Sequence, residues 1–511
     1  MAYKMFASIH VGSEDVSLRI YEISRKNGIR RIDDVKYFIE LGSDTYRKGY
    51  IEFDLVHELC QVLEQFKLKM KEYRITDYIA YASSAVREAL NAGLIIDQIR
   101  VRTGLKIQCI DNSEQCFLQM KAIAQNMGKF RQLVQEGAVI VDMGAGSLQL
   151  TVYDEGRLIF TQNLKLGSLR LREILADLEE QATDFVKVME DYIGNDIDTF
   201  NKLFMNTHKM RHIIVMGEEM MSMLKLSGSQ HKVLTLNKTD FARIHDMVLG
   251  STPDALSVSY SMPYEIATLL KPAAVVYQRL IAASGAEKIW AGEADLCDGM
   301  AVEYAEKLLN IQQGQLFNED IIAYGMAIAG KYDSNIAHIE NVEKLSTAIF
   351  DALRKKTGLS DRDRLLLRMA CILHDSGKFI NMQGGTDHSY FIVLATEFIG
   401  LSVEEKKIIA DVIKYNSAAE VPAREDLAAP LGDEAYIRML KLTAILRIAN
   451  GMDQSHTQKM KKVSVQIRDD MLMIKADTLF DITLEQTIMD QKGVFFEEIY
   501  GYKPVLRAKR R

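Results

Sequence analysis

A glycine-rich turn between two strand-like segments is the first feature of this chain that could do chemistry. Gly144-Ala145-Gly146-Ser147 follows an apolar run at 139–141 and precedes a run of alternating polarity. Backbone N–H groups of such a turn can converge on a phosphate, because glycine leaves no side chain in the way. Alone the turn is a weak signal, since ordinary tight turns have the same composition.

The turn has a counterpart near the start of the chain. Residues 9–22 align without gaps with residues 141–154, which places Gly12 on Gly144 and Tyr21 on Tyr153. Each copy has the pattern of a β-hairpin. Two such hairpins predict a duplicated α/β domain in which both turns face one cleft and clamp a phosphate from two sides.

A second candidate site combines histidine and aspartate later in the chain. His374 and Asp375 are adjacent on an apolar helix pattern with the HD-type signature, and His338 lies on a preceding helix. These side chains can share one metal ion. Asn450 stands where an HD metalloenzyme has its last aspartate, and Asp453 is close enough to replace it. The pattern predicts a metal site at His338, His374, Asp375 and Asp453; the alternative is a hydrogen-bonded cluster that only stabilises the helices.

The elements that must position these residues change along the chain. Strand and helix patterns alternate up to about residue 304, and helical periodicity then dominates to about 450. Alternating runs at 463–467 and 471–475 predict a hairpin, and a helix is expected over 482–499. Four domains are therefore expected: two α/β lobes at 1–124 and 125–304, a helical domain at 305–457 and a small α+β domain at 458–511.

Composition narrows the class of protein. The net charge of −7 gives no general attraction to DNA. The five cysteines are scattered without a CxxC pair, which is typical of reduced thiols and a cytoplasmic protein. We expect neither a signal peptide nor a membrane-spanning segment.

Four collinear motifs resemble those of the exopolyphosphatase/guanosine-pentaphosphatase (Ppx/GppA) family. Residues 81–91, YASSAVREALN, are similar to the family pattern ATSAxREAxN, and residues 141–150, VDMGAGSLQL, to D[IL]GGGSTEL. Residues 166–171, LGSLRL, resemble LGSVRL, and residues 295–299, DLCDG, stand where the family has GLREG. Together with the HD-type signature, the resemblance covers essentially the whole chain.

The resemblance implies an α/β fold with duplicated actin-like (ASKHA, ribonuclease H-like) lobes, an all-α HD-type domain and a small α+β C-terminal cap. It implies hydrolysis of terminal phosphoanhydride bonds of polyphosphate or of guanosine pentaphosphate, which is a phosphorylated guanine nucleotide. It further implies a carboxylate base, a divalent cation (Mg²⁺ or Mn²⁺) in the cleft and a homodimer. The implied phosphate-binding residues are Gly12, Ser13, Arg87, Asp142, Gly144, Gly146, Ser147 and Gly217.

Three acidic positions of the family pattern are neutral or histidine here. The general-base glutamate aligns with Gln115, whose amide cannot accept a proton at pH 7. Glu114 is the adjacent candidate, but neighbouring helical side chains point about 100° apart. The acid of the second loop aligns with Gln149, and the aspartate of the first loop with His10. The candidate catalytic residues are therefore Glu114, Gln115 and Gln149, with weakened chemistry.

Two phosphate loops have also gained acids. Glu14 and Asp15 follow the first turn, and Glu218 and Glu219 follow Gly217. Carboxylates at these positions repel a polyanion.

Three functions stay open on the sequence: a phosphoanhydride hydrolase with weak activity, a non-catalytic regulator that binds a nucleotide or phosphate, and a metal-dependent HD phosphohydrolase with an inactive cleft. The sequence does not separate polyphosphate from guanosine pentaphosphate as substrate.

Overall fold

The computed structural model describes residues 3–205, 208, 210–226, 233–292, 294–309, 314–418, 420–427, 431–460 and 462–509. The chain separates into two compact units, Met1–Leu316 and Phe317–Arg511.

The first unit alternates strands and helices. Its strands are β1 Lys4–Val11, β2 Asp15–Ser24, β3 Gly28–Phe38, β4 Asp77–Ala82, β5 Gln108–Cys109, β6 Ala138–Met143, β7 Leu148–Asp154, β8 Arg157–Leu164, β9 His212–Met216, β10 Val233–Asn237 and β11 Lys288–Gly292. Its helices are α1 Leu41–Lys48, α2 Phe53–Glu72, α3 Ser84–Glu88, α4 Ala92–Thr103, α5 Asn112–Asn126, α6 Phe130–Gln135, α7 Ser168–Glu179, α8 Phe185–Phe200, α9 Glu218–Leu226, α10 Lys238–Leu249, α11 Pro253–Tyr260, α12 Tyr264–Ser284 and α13 Leu296–Leu309.

Two sheets of the first unit repeat one topology, as the internal repeat predicts. The first has the strand order β3-β2-β1-β4-β5, and the second contains β8-β7-β6-β9-β11 with β10 added at its edge. In both, the hairpin is antiparallel and the next two strands are parallel to its first strand. Even the register irregularity recurs, at Ile20/Tyr21 and at Val152/Tyr153, which the gapless alignment superposes. The duplication is confirmed down to this irregularity.

Each sheet is covered by helices and buries its apolar residues. The core of the first sheet joins β1, β2 and β4 to α2 and α4, and that of the second joins β6, β7 and β9 to α8, α9 and α12. Helix α13 packs on β1 and β2 and against α5.

Helix α12 corrects one expectation. In the described part of the chain, it alone is long and apolar enough to cross a membrane, with a mean hydropathy of 1.2 in its most apolar window. Of that window, 67% is buried inside the fold, as in the core helix of a soluble protein, so the feature is weak support for a membrane span.

The second unit is mostly helical, and its last part contains a small three-stranded sheet. Its helices are α14 Gly314–Lys331, α15 Ile336–Thr357, α16 Asp361–Leu373, α17 Gly385–Ala395, α18 Val403–Tyr415, α19 Asp433–Gly451 and α20 Thr483–Tyr500, and its strands are β12 Lys462–Arg468, β13 Met471–Asp477 and β14 Lys503–Lys509. Ser360 and Ser402 start α16 and α18 with capping boxes.

The predicted elements agree with these bounds at most points. The hairpin expected around 463–475 is β12–β13, and the expected final helix is α20. Strand β14, which pairs parallel with β13, was not predicted. Helix α3 ends at Glu88, because Ala89 takes an extended conformation.

Candidate functional site

Each of the two repeated hairpin turns is closed by a backbone hydrogen bond. Gly12 N donates to Asp15 O at 2.8 Å, and Gly144 N donates to Ser147 O at 3.0 Å. Both turns line one cleft of about 480 Å³, together with Gly217, whose φ of +120° suits glycine. The expected arrangement, with both turns facing one cleft, is confirmed.

Three hydroxyl groups lie beside both turns. Ser13 Oγ lies 2.7 Å from Tyr46 Oη and 3.0 Å from Ser84 Oγ. Gly146 packs against the same hydroxyls so closely that a Cβ there would overlap Tyr46 Oη and Ser84 Oγ. The absence of a side chain at Gly146 is therefore a requirement of packing.

Arg170 holds the second turn in place, a role that the sequence did not assign. Its guanidinium donates to Gly146 O at 2.6 Å and to Glu88 Oε1 at 2.8 Å, and lies 3.9 Å from the centre of the Tyr46 ring. The sequence signal for this role was the arginine of the LGSLRL motif. Arg170 is only 6% exposed, and a buried guanidinium needs hydrogen-bond acceptors inside the protein.

Helix α5 presents one face to the cleft. Asp111 caps its start by accepting from Glu114 N at 2.8 Å. Gln115 and Gln119 line the cleft, whereas the Glu114 carboxylate accepts from Tyr81 Oη at 3.3 Å. Of the two candidate bases, the structure places Gln115 at the cleft and Glu114 beside Tyr81.

Arg87 does not belong to the cleft lining formed by the described residues. Its guanidinium donates to Ile110 O and to Asn112 Oδ1, so it holds the approach to α5. The structure thus gives Arg87 protein partners where the sequence predicted a phosphate.

Gln149 is buried in a hydrogen-bonded row across β7 and β8. Its Nε2 donates to Thr161 Oγ1 at 2.6 Å, and its Oε1 accepts from Asn163 Nδ2 at 3.1 Å. Asn163 also donates to Ser147 Oγ in the second turn. Gln149 is therefore placed beside the turn, with both ends of its amide satisfied.

The cleft is rich in carboxylates. Among the described residues, eight acidic side chains line it against four basic ones, Arg19, Arg31, Lys36 and Lys225. Lys36 pairs with Asp15 at 2.7 Å and with Glu218. The acids are Glu14, Asp15, Asp34, Asp142, Glu218, Glu219, Asp295 and Asp298. The excess of negative charge means that a phosphate chain needs cations to enter.

Asp142 and Glu219 are neighbours among these acids. Burial and the neighbouring Glu219 raise the pKa of Asp142 to about 7. Burial likewise raises the pKa of Glu219 to about 7, although Ser168 donates a hydrogen bond to its carboxylate. Both acids therefore change charge near neutral pH.

Glu14 and Asp295 are two further acids of the cleft with raised pKa values. Burial and Glu219 raise the pKa of Glu14 well above its ordinary value, and Glu14 Oε1 has no hydrogen-bond partner among the described residues. Burial raises the pKa of Asp295 to about 6 against the opposing effect of Arg19, which contacts it at 2.6 Å. The sequence predicted repulsion from Glu14 but did not identify Glu219 and Asp295 as members of one acidic cluster.

These pKa values predict how stability depends on pH. A raised pKa favours the protonated folded state, so the stabilisation is complete below about pH 4 and is lost as pH rises through about 7. In chelator, the melting temperature should fall between about pH 5 and pH 8, and Mg²⁺ should restore more of it at the higher pH. The double variant Asp142→Asn, Glu219→Gln should flatten both trends in a thermal-shift titration. An identical pH profile in wild type and double variant would contradict the prediction.

The second unit brings the predicted metal residues together. His338 Nε2 lies 3.2 Å from His374 Nε2 and 4.0 Å from Asp375 Oδ2. Asp453 Oδ2 contacts the other nitrogen of His338, Nδ1, at 2.7 Å. The ring of His456, which the sequence did not single out, stacks on the His338 ring with centroids 3.6 Å apart.

Asn450 turns away from this cluster and donates to Asn416 Oδ1 at 3.0 Å. Among the described residues, one group of three could hold a metal ion: His338, Asp375 and His456. Each offers one ligand atom, and these three atoms lie within 4.8 Å of one another. The cleft acids are more widely spaced, so a cation there would also need oxygens from phosphate or water.

Comparison with known proteins agrees with this architecture. A model of the Ppx/GppA phosphatase family matches residues 20–305, and a model of Ppx/GppA phosphatase, domain III, matches residues 326–495.

Three curated relatives match at low identity. The bifunctional 3-dehydroquinate synthase/phosphatase of Fusobacterium nucleatum is 22% identical over 33% of this chain, which spans 26% of its length. Exopolyphosphatase 1 of Mycobacterium leprae is 23% identical over 43% of this chain, which spans 64% of its length. Guanosine-5'-triphosphate,3'-diphosphate pyrophosphatase of Photobacterium profundum is 17% identical over 86% of each chain.

Two solved structures share the actin-like fold. An exopolyphosphatase from Cytophaga hutchinsonii superposes with a TM-score of 0.53 at 18% identity, covering 60% of this chain and 98% of its own. The Aquifex aeolicus member of the Ppx/GppA family gives 0.50 at 18% identity, covering 60% and 99%.

Proposed function

Because the chain belongs to the Ppx/GppA phosphatase family, we propose that its cleft binds the terminal phosphates of a phosphoanhydride chain and hydrolyses the last bond slowly. The observation that carries the proposal is the pair of equivalent hairpin turns, at Gly12 and Gly144, that open on one cleft. Their backbone N–H groups approach a bound phosphate from two sides. Polyphosphate and guanosine pentaphosphate both present such an end.

A divalent cation belongs to this proposal. The buried, unpartnered Glu14 Oε1 fits a cation, because a carboxylate oxygen deprived of water needs a positive partner. Glu14, Asp142 and Glu219 would hold Mg²⁺ or Mn²⁺ together with phosphate oxygens. Such an ion supplies charge neutralisation for the phosphates in a cleft where acids outnumber bases.

Weak turnover follows from the neutral groups at the cleft. Gln115 and Gln149 line it where the family pattern has acids, and His10 is partly buried with its Nε2 3.0 Å from Ser83 Oγ. Burial lowers the pKa of His10, so this side chain adds no positive charge near neutral pH. A positioned water would lack a strong base, although an amide can still orient it.

Phosphate release from polyphosphate and from guanosine pentaphosphate, with and without Mg²⁺ or Mn²⁺, tests the proposal. We expect cation-dependent release well below about 10 turnovers per second, the median for enzymes. Asp142→Asn should remove it, and Asp97→Asn on the exposed side of α4 should not.

The result also separates the alternatives. Binding of either compound without release in any metal would favour a non-catalytic regulator. Release that survives Asp142→Asn but not His338→Ala would instead place the chemistry in the second unit, as in an HD-type phosphohydrolase.

A cytoplasmic location and a homodimer are part of the same proposal. The location is supported by the free state of all five cysteines, four of them buried. The dimer rests on the family resemblance, and light scattering of the purified chain at several concentrations would test it.

A further inference from the structure

The two facing histidines of the second unit pose a hydrogen-bonding problem. Cys371 O accepts from His374 Nδ1 at 2.7 Å, and a carbonyl can only accept, so the proton of a neutral His374 is on Nδ1. The Asp453 carboxylate fixes the proton of His338 on Nδ1 in the same way. Each Nε2 therefore carries a lone pair, and the two lone-pair atoms lie 3.2 Å apart in a buried site.

A positive charge between the two Nε2 atoms would remove the repulsion between their lone pairs. Two imidazole nitrogens bound to one ion at ~2.0–2.1 Å and at roughly 90–110° lie about 2.8–3.4 Å apart, which brackets the observed separation. Asp375 adds Oδ1 at 3.5 Å from His374 Nε2, while its Oδ2 binds Lys378 at 2.7 Å. Hydrogen bonds to the outer nitrogens are the arrangement that orients metal-bound histidines.

We propose that the second unit binds one divalent transition-metal ion through His338, His374, Asp375 and His456, and that Asp453 orients His338 instead of coordinating. His456 replaces the aspartate that Asn450 no longer supplies. The HD-type signature predicted Asp453 as the fourth ligand. Here His456 takes that place, and Asp453 instead orients His338. It is independent of the phosphate cleft.

The backbone supports the role of His456. The residue has φ +54°, a conformation that costs a non-glycine residue free energy and is found where other contacts enforce it. Its N–H donates to Asp453 O at 2.8 Å, and Gln458 N donates to Asp453 Oδ1 at 2.9 Å. The segment after α19 thus folds around Asp453 and returns His456 to His338.

Coordination requires the His456 ring to turn out of its parallel stack on His338, because the nitrogen lone pair lies in the ring plane. The side chain is only partly buried, so it is not locked in place by the core. Three imidazoles and one carboxylate favour Zn²⁺, Co²⁺, Fe²⁺, Mn²⁺ or Ni²⁺ over Mg²⁺.

Metal binding to the full chain tests the assignment. After chelator treatment, wild type should bind one equivalent of Co²⁺ with visible d–d bands, which Zn²⁺ displaces and excess Mg²⁺ does not. His456→Ala and His456→Gln should each weaken Co²⁺ affinity at least about tenfold, and Asp453→Asn by roughly 10–100-fold. Melting temperature with and without Zn²⁺ gives a second readout that needs no activity.

Two controls separate this site from others. His388→Ala removes a histidine of the same unit outside the proposed ligand set, and Glu219→Gln removes a cleft acid; both should bind Co²⁺ as wild type does. Wild type without stoichiometric Co²⁺ or Zn²⁺ would mean that a proton joins the two histidines, which overturns the proposal. Unchanged affinity in both folded His456 variants would overturn the assignment of that ligand.

Discussion

Replacing Gly167 by alanine should destabilise the first unit by about 3 kcal/mol and abolish phosphate binding. A Cβ at this position would overlap Ala145 O, Gly146 C and Ser147 N. All three are backbone atoms of the second turn, so no side chain can move aside to make room. Gly167 has φ −69°, which any residue adopts, and the effect is therefore purely steric.

Gly93→Ala is the matched control. This glycine lies in α4 with nothing within 4 Å of an added Cβ and no positive φ. Alanine there should stabilise the protein by roughly 0.5–1 kcal/mol. Denaturant unfolding of both variants, with phosphate binding measured in parallel, checks the pair. Wild-type stability and binding in Gly167→Ala would show that the second turn moves freely and does not form a fixed phosphate cradle.

The duplicated fold could be predicted because its signals are local. Alternating apolar residues and a glycine turn specify a hairpin within about 14 residues, and the hairpin recurs with the same spacing. Even the matched irregularities at Tyr21 and Tyr153 lie inside the aligned segments. Strand β14 was missed because its pairing with β13 spans α20, a contact that no local pattern encodes.

The site was less predictable because its charged residues are far apart in the sequence and become neighbours only in the folded chain. Asp142 and Glu219 are 77 positions apart, yet Glu219 helps to raise the pKa of Asp142. Arg87 matches a phosphate-binding motif, but Ile110 O and Asn112 accept its hydrogen bonds. His456 follows no motif and reaches His338 only through a left-handed turn. Partners of this kind follow from the packing of distant segments.

Gln115→Glu should raise the rate of phosphate release by about 10²-fold, the low end of the usual contribution of a general base. Gln115 already lines the cleft on α5, so the substitution changes an amide into a carboxylate without altering side-chain length. We expect the low end of that range because the new carboxylate adds negative charge to an acidic cleft. The added charge repels the phosphate substrate and weakens its binding.

A second substitution should add to the gain if position 149 supports the cation. Thr161 and Asn163 can both donate to a carboxylate at 149, so Gln149→Glu preserves the hydrogen bonds of the buried row. The double variant should therefore fold and exceed Gln115→Glu in Mg²⁺.

Single-turnover and steady-state phosphate release, with polyphosphate and with guanosine pentaphosphate, measure the gain. Gln125→Glu adds the same charge at an exposed position of α5, about 15 Å along the helix, and should leave the rate unchanged. Glu114→Gln tests the rival base: if Glu114 takes the proton, its loss removes the wild-type activity and Gln115→Glu gives little. Wild-type turnover of tens per second on long-chain polyphosphate, abolished by Asp142→Asn, would show that the cleft is fully competent and that the amide at 115 does not limit it.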